Sequence, residues 1–227
     1  MAVESAAVAL PGALADNTHP CRLVPTLQAV ADEIYDGLDF TGEHVSVASR
    51  SQDVPVVALN GVSKVYYAPG WRIGYMALHD PLKRMGLVRD GLERLLRSRL
   101  CASTPAQVGY LAGLEQDRGW METYSERVLR QRDHCIQRIN QIEGLEVEQP
   151  GGAFYMFVRL TDKKWADDDK AFVLQLLHEE HVLLVHGSGF SPRLGKGHVR
   201  LVYLADLDVL DEVFNRIERF LLKHRGE

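Results

Sequence analysis

Lys64 follows the short β-branched run VPVVALN (54–60) by four residues and sits in the loop GVSKVYYAPGW. An amine at the end of a buried strand is poorly placed as a mere solubility charge. If it is desolvated there, its affinity for a proton falls and it becomes a nucleophile toward a carbonyl carbon. The bland alternative is a lysine whose stem lies along the surface while its head stays in water. Arg72 stands eight residues on, at the head of the second strand-like run RIGYMAL (72–78), and its planar fork suits two-point capture of a phosphate. Upstream, Asp32 and Tyr35 close another apolar run. An acid and a phenol three residues apart could hold a pyridine nitrogen and a ring hydroxyl.

An aldehyde, a phosphate, a pyridine nitrogen and a ring hydroxyl together describe pyridoxal 5'-phosphate. ADEIYDGL, LNGVSKVYYAPGWRIGY, QPGGAFYMF and HGSGFSPRLGKGHVRLVYLAD, in this order and at these separations, resemble the successive blocks of class I pyridoxal-phosphate-dependent aminotransferases. The spacing Ser-Lys, seven residues, Arg-Ile-Gly is the most specific of these features. RSRLCASTPAQ (97–107) is similar to the alanine aminotransferase branch, and the resemblance runs from about residue 26 to the C-terminus.

The resemblance implies a role for each matching position. Lys64 corresponds to the Schiff-base lysine that later moves the substrate α-proton, and so acts as nucleophile and as general acid and base in turn. Asp32 corresponds to the carboxylate on the pyridine nitrogen, Tyr35 to the phenol on the ring oxygen and Arg72 to the phosphate arginine. Ser63 stands at a phosphate-side position where class members differ. Arg200, in HVRLVYL, corresponds to the arginine that takes the substrate α-carboxylate; outside this context it would be an ordinary arginine on an exposed strand face. The implied reaction moves an amino group between L-alanine or L-glutamate and 2-oxo acids (pyruvate or 2-oxoglutarate). An aspartate or aromatic aminotransferase is the alternative within the class, because Arg200 reads only the α-carboxylate. Class members dimerise, so a homodimer is implied as well.

Complete members carry more chain before the ADEIYD block: a glycine-rich phosphate turn, an aromatic that stacks on the ring, and an NPTG asparagine. Residues 1–25 contain none of these and, broken by Pro11, Gly12, Pro20 and Pro25, read as an irregular leader. The chain therefore resembles the C-terminal portion of such an enzyme. The rival reading is a non-catalytic fragment that serves as a partner-binding module.

The elements that must position these residues alternate short apolar runs with amphipathic stretches, the pattern of an α/β chain. The expected fold is the type I pyridoxal-phosphate transferase fold: a partial large domain (26–130), then a small α+β domain (131–227). Leu82, Met85, Val88, Leu92, Leu95, Leu96 and Leu100 recur at helical spacing. Thr104, Pro105 and Gln107 predict a capping box at the start of the next helix. A long charged helix ends at Gly144. Strand runs at 145–149, 153–160, 182–186 and 198–204 then surround a helix near 168–180, and a last helix carries Leu210, Val213, Phe214, Ile217 and Leu221 on one face.

Composition narrows the partners. A net charge of -5 supplies no general attraction for nucleic acid. No apolar run is long enough to span a bilayer and no secretory signal opens the chain, so the expectation is a cytoplasmic protein acting on small molecules. Cys21, Cys101 and Cys135 lack metal-ligand spacing and read as reduced, inert thiols. The HEEH pair His178 and His181 lacks zinc spacing, and Gly187-Ser188-Gly189 lacks the dinucleotide fingerprint.

Overall fold

The computed structural model describes residues 6–9, 29–42, 44–117 and 119–225, so Cys21 and most of the leader stretch lie outside the described residues. Contacts divide the chain into two units, Val3–Arg118 and Gly119–Glu227. The division falls at the start of the same long helix on which the sequence set its boundary at 130/131.

In the first unit β1 (Ala6–Ala9), β2 (Ala29–Asp32), β3 (Val56–Gly61) and β4 (Gly74–His79) form one sheet in the order β1-β2-β3-β4. The stretch read as irregular thus contributes a strand. β2 and β3 are parallel, whereas β1 and β4 run antiparallel to their neighbours. A parallel pair needs a long crossover. Residues 33–55 supply it, with a 3-10 turn at Asp36–Leu38 and the short helix α1 (Val47–Arg50). Val56, Val57 and Ala58 are buried, in keeping with a β-branched run that forms an inner strand.

Helices α2 (Gly86–Arg99) and α3 (Thr104–Glu115) complete the unit. The α2 helix begins later than its periodicity suggests, because the Asp80 carboxylate accepts the N–H groups of Arg84 and Met85 at 2.8 Å each and ends the preceding turn. No residue of α2 is buried, and Leu95 and Leu96 are 69% and 65% exposed. The capping box predicted at Thr104 does not form. The helix starts one residue earlier, with Ser103 as its cap, and the Gln107 side chain donates to the Ala102 carbonyl at 2.8 Å.

The second unit opens with α4 (Gly119–Ile139), then β5 (Leu145–Val147), β6 (Tyr155–Leu160), α5 (Lys163–Asp167), α6 (Asp169–Glu180), β7 (Val185–His186), β8 (His198–Val202) and α7 (Leu207–Lys223). Its sheet is antiparallel throughout, in the order β5-β6-β8-β7. Strand alternation sorts the side chains. Met156, Val158, Leu160, Val199 and Leu201 are buried, together with Phe172 and Leu176 of α6 and Phe214, Ile217 and Phe220 of α7. The intervening positions, Phe157, Arg159, His198 and Arg200, occupy the other face.

Truncating a fully buried aromatic leaves a cavity, so Phe214→Ala should destabilise the second unit by about 3–5 kcal/mol, whereas Leu95→Gln on α2 should change stability by less than about 0.5 kcal/mol. Urea denaturation followed by circular dichroism reads both. Burial, with a smaller contribution from the Asp211 charge, pushes the Cys135 thiol up to about 12. Iodoacetamide at pH 8 should therefore label the exposed Cys101 in the native chain and leave Cys135 unlabelled until denaturant is added.

Candidate active site

Four of the residues singled out by chemistry belong to one end of the first sheet. Asp32 is the last residue of β2 and pairs with Leu59 in register; it is exposed, and its Oδ1 accepts the Ile34 N–H at 3.3 Å. The chain then turns tightly, with Glu33 donating to the Leu59 carbonyl and Asp36 to that of Glu33. Tyr35 is thereby held just before the 3-10 turn. The buried Glu33 carboxylate is satisfied by the Ser46 hydroxyl at 2.9 Å and the Val47 N–H at 3.0 Å, which ties the crossover to the same strand end. Lys64 lies three residues beyond β3, half-buried, with Nζ 5.8 Å from the centre of the Tyr35 ring. Ser63 beside it is also half-buried.

Arg72 enters this end from the other side, two residues before β4. Its backbone is left-handed (φ 52°), and its Nη1 donates to the Pro69 carbonyl at 2.6 Å. Gly61 and Gly74 face each other in register, and a Cβ on Gly61 would stand 2.7 Å from the Ile73 oxygen. Only glycine lets the end of the lysine strand lie this close to the start of the arginine strand. Asn60 adds a cross-link, its side-chain amide donating to Asp36 at 2.8 Å.

The lysine loop rests on α3. Val62, Ile73 and Ala106 form a small core, with Tyr66, Ala68, Ala102 and Tyr110 packed on it. The block RSRLCASTPAQ is therefore structural support for the loop. Burial, and then the charges of Asp36 and Glu33, push the Tyr75 phenol above its ordinary value.

Arg200 belongs to the second unit. Its guanidinium carbon lies over the Tyr155 ring at 4.7 Å and over the Phe190 ring at 4.6 Å, and its buried Nε has no hydrogen-bond partner among the described residues. It lines a groove of about 620 Å³ with Tyr155, Phe157, Arg159 and His198. The QPGGAF segment beside β6 is pinned by residues that sequence reasoning missed. The Tyr203 hydroxyl donates to the Ala153 carbonyl at 3.0 Å, where Ala153 has φ 60°, and Arg132 donates to the Pro150 carbonyl at 3.0 Å. These pairs are far apart in sequence, and no local spacing signals them. HEEH ends α6, with His181 as a left-handed cap.

A sequence profile of the family described as "Aminotransferase class I and II" matches residues 12–217. The chain belongs to this aminotransferase family. Its relatives include the glutamate-pyruvate aminotransferase AlaA of Haemophilus influenzae, 37% identical over 203 residues, which covers 86% of this chain and 49% of the relative. The alanine aminotransferase of Mycobacterium tuberculosis is 34% identical, over 88% of this chain and 47% of its own. Among solved structures, alanine aminotransferase from Pyrococcus furiosus superposes with a TM-score of 0.82 and 44% identity, across 86% of this chain and 49% of that one. The chain has the type I pyridoxal-phosphate transferase fold in part, and spans about half the length of the aminotransferases it matches. Among the described residues no helix is long and apolar enough to cross a membrane.

The glycine contact gives a direct test of the strand-end geometry. A methyl group at Gly61 must push β3 and β4 apart, so Gly61→Ala should cost about 1–3 kcal/mol, while Gly70→Ala, with open space around it, should be near neutral. Thermal melting of the two variants beside the unmodified chain checks this.

Proposed function

We propose that this chain carries the lysine-bearing portion of an alanine-type aminotransferase, which interconverts L-alanine plus 2-oxoglutarate with pyruvate plus L-glutamate. What supports the reading is the parallel pairing of β2 with β3, after which Asp32, Tyr35 and Lys64 stand at the carboxyl ends of the two strands, with Lys64 Nζ 5.8 Å from the centre of the Tyr35 ring and Arg72 just before β4, whose start pairs with the end of β3. In open α/β sheets the carboxyl ends of the strands are where ligands bind. The names of the alanine aminotransferase relatives support the substrate class.

The donor set fits pyridoxal 5'-phosphate. When bound, this cofactor supplies an electron sink for the pair left on the substrate Cα after the proton departs. Lys64 Nζ would hold the cofactor through its aldehyde carbon and, once released, its amine would take the proton from the substrate Cα and deliver it to that aldehyde-derived carbon. The Asp32 carboxylate would accept from the pyridine nitrogen and so favour its protonated form. The Tyr35 hydroxyl donates to the ring oxygen. Arg72 would hold the phosphate through charge-assisted hydrogen bonds in place of its contact with the Pro69 carbonyl. Arg200 offers its fork to the substrate α-carboxylate, and the two rings against it keep water from one side of the ion pair.

In this reading the first unit is the remaining part of the cofactor domain and the second is the small domain. The protein is a cytoplasmic homodimer that takes small amino acids and 2-oxo acids. Arg200 reads only what all α-amino acids share, so a panel of L-alanine, L-aspartate and L-phenylalanine at equal concentration separates the alanine reading from its aspartate and aromatic rivals.

Borohydride trapping tests the core of the proposal. The chain is incubated with pyridoxal phosphate, reduced, digested and mapped by mass spectrometry. The pyridoxyl phosphate mass should fall on the Lys64 peptide and vanish in Lys64→Ala. Arg72→Leu should weaken cofactor binding by roughly 10- to 100-fold, the equivalent of about 1.5–3 kcal/mol for lost bonds to a charged group. Label spread evenly over surface lysines, unchanged in Lys64→Ala, would overturn the assignment.

A further inference from the structure

The second unit contains a buried carboxylate that the proposed chemistry does not use. Asp169, the first residue of α6, is only 3% exposed. Both of its oxygens are taken by one residue: Oδ2 accepts the Ser188 N–H and Oδ1 the Ser188 hydroxyl, each at 2.7 Å. Burying a carboxylate is unfavourable unless its acceptors are filled. Here a serine 19 positions away fills them, and the positive end of α6 adds to the compensation. The Ser188 hydroxyl has a single hydrogen, committed to Asp169. Its oxygen is therefore left to accept from His186 Nδ1, 2.9 Å away.

Ser188 is the central residue of the 3-10 turn Gly187–Gly189. That turn is packed backbone to backbone, since a Cβ on Gly187 would stand 2.2 Å from the Gly195 oxygen. Its next residue is Phe190, whose N–H donates to the Gly187 carbonyl at 2.9 Å. Phe190 is 52% exposed, yet its ring is seated on the Arg200 guanidinium and edge-on to Phe157. A half-exposed phenylalanine on a three-residue turn would sample other positions unless the turn itself were rigid.

We propose that Asp169 and Ser188 are positioning residues for Arg200: their buried contact locks the turn that seats Phe190 on the guanidinium, and so pre-orients its fork toward a carboxylate ligand. The carboxylate role rests on the reading of Arg200 given above, while the lock itself rests on the geometry. A long arginine side chain loses rotamer freedom when it binds, and a fork already held loses less.

Nitrogen NMR of the full chain reads the lock without cofactor or turnover. The Arg200 Nε–H signal, identified by its loss in Arg200→Lys, should be displaced from the other arginines by the ring currents of Tyr155 and Phe190. In Ser188→Ala it should move back toward them, and in Ser188→Thr, which keeps the hydroxyl, it should stay. Titration with 2-oxoglutarate should shift the signal in the unmodified chain and in Ser188→Thr. It should bind about ten-fold more weakly to Ser188→Ala. Phe190→Leu, at a half-exposed position, is run in parallel and should lose the Phe190 share of the displacement together with the affinity. If 2-oxoglutarate binds and shifts Arg200 equally in the unmodified, Ser188→Ala, Ser188→Thr and Phe190→Leu chains, the positioning proposal is overturned and the carboxylate role stands. If it leaves Arg200 unmoved in the unmodified chain while Ser188→Ala still releases the displacement, the lock stands and the carboxylate role falls.

Discussion

The parallel pairing of β2 with β3, closed by the Gly61–Gly74 approach, is the constraint on which the candidate site depends. Parallel strands end on the same side, so residues that leave β2 and β3 enter one space. The two glycines let β4 begin against the end of β3 without a side chain between them. Asp32 and Tyr35 therefore leave from one strand, Lys64 from the next and Arg72 from the approach to the third. Widening any of these contacts would separate groups that, in the proposed reading, address one small molecule.

The second unit meets a different demand with a different device. Its sheet must bury one face on α4, α6 and α7, and period-two alternation then leaves Arg200 and its neighbours on the other. Strand geometry alone does not aim an arginine. The rings of Tyr155 and Phe190 do so, and both belong to segments held by buried polar contacts: Tyr203 and Arg132 on one side, Asp169 and Ser188 on the other. Carboxylates, hydroxyls and carbonyls inside the unit act here as fixed spacers for a half-buried cation.

Much of this was legible in the sequence because it is local. The β-branched run of β3, the alternation of β6 and β8 and the apolar stripe of α7 each state their own period. The spacing of Lys64 from Arg72 and of Asp32 from Tyr35 carried the chemistry. Long-range contacts were not legible. Nothing near Ser188 announces Asp169, and nothing near Ala153 announces Tyr203. The helix period of α2 identified an apolar face but could not say what covers it, and in this chain Leu95 and Leu96 face solvent. The start of α3 lies one residue earlier than the capping pattern implies, and Ser103, at the cap position, makes no side-chain cap hydrogen bond.

The central claim is that four side chains at one strand end address the four functional groups of a single cofactor. The structure of the chain crystallised with pyridoxal 5'-phosphate tests it most directly. The predicted result is electron density continuous with Lys64 Nζ, with the pyridine nitrogen within hydrogen-bond distance of Asp32, the ring oxygen at Tyr35 and the phosphate at Arg72. Cofactor density on a different lysine, or a ring nitrogen turned away from Asp32, would contradict it.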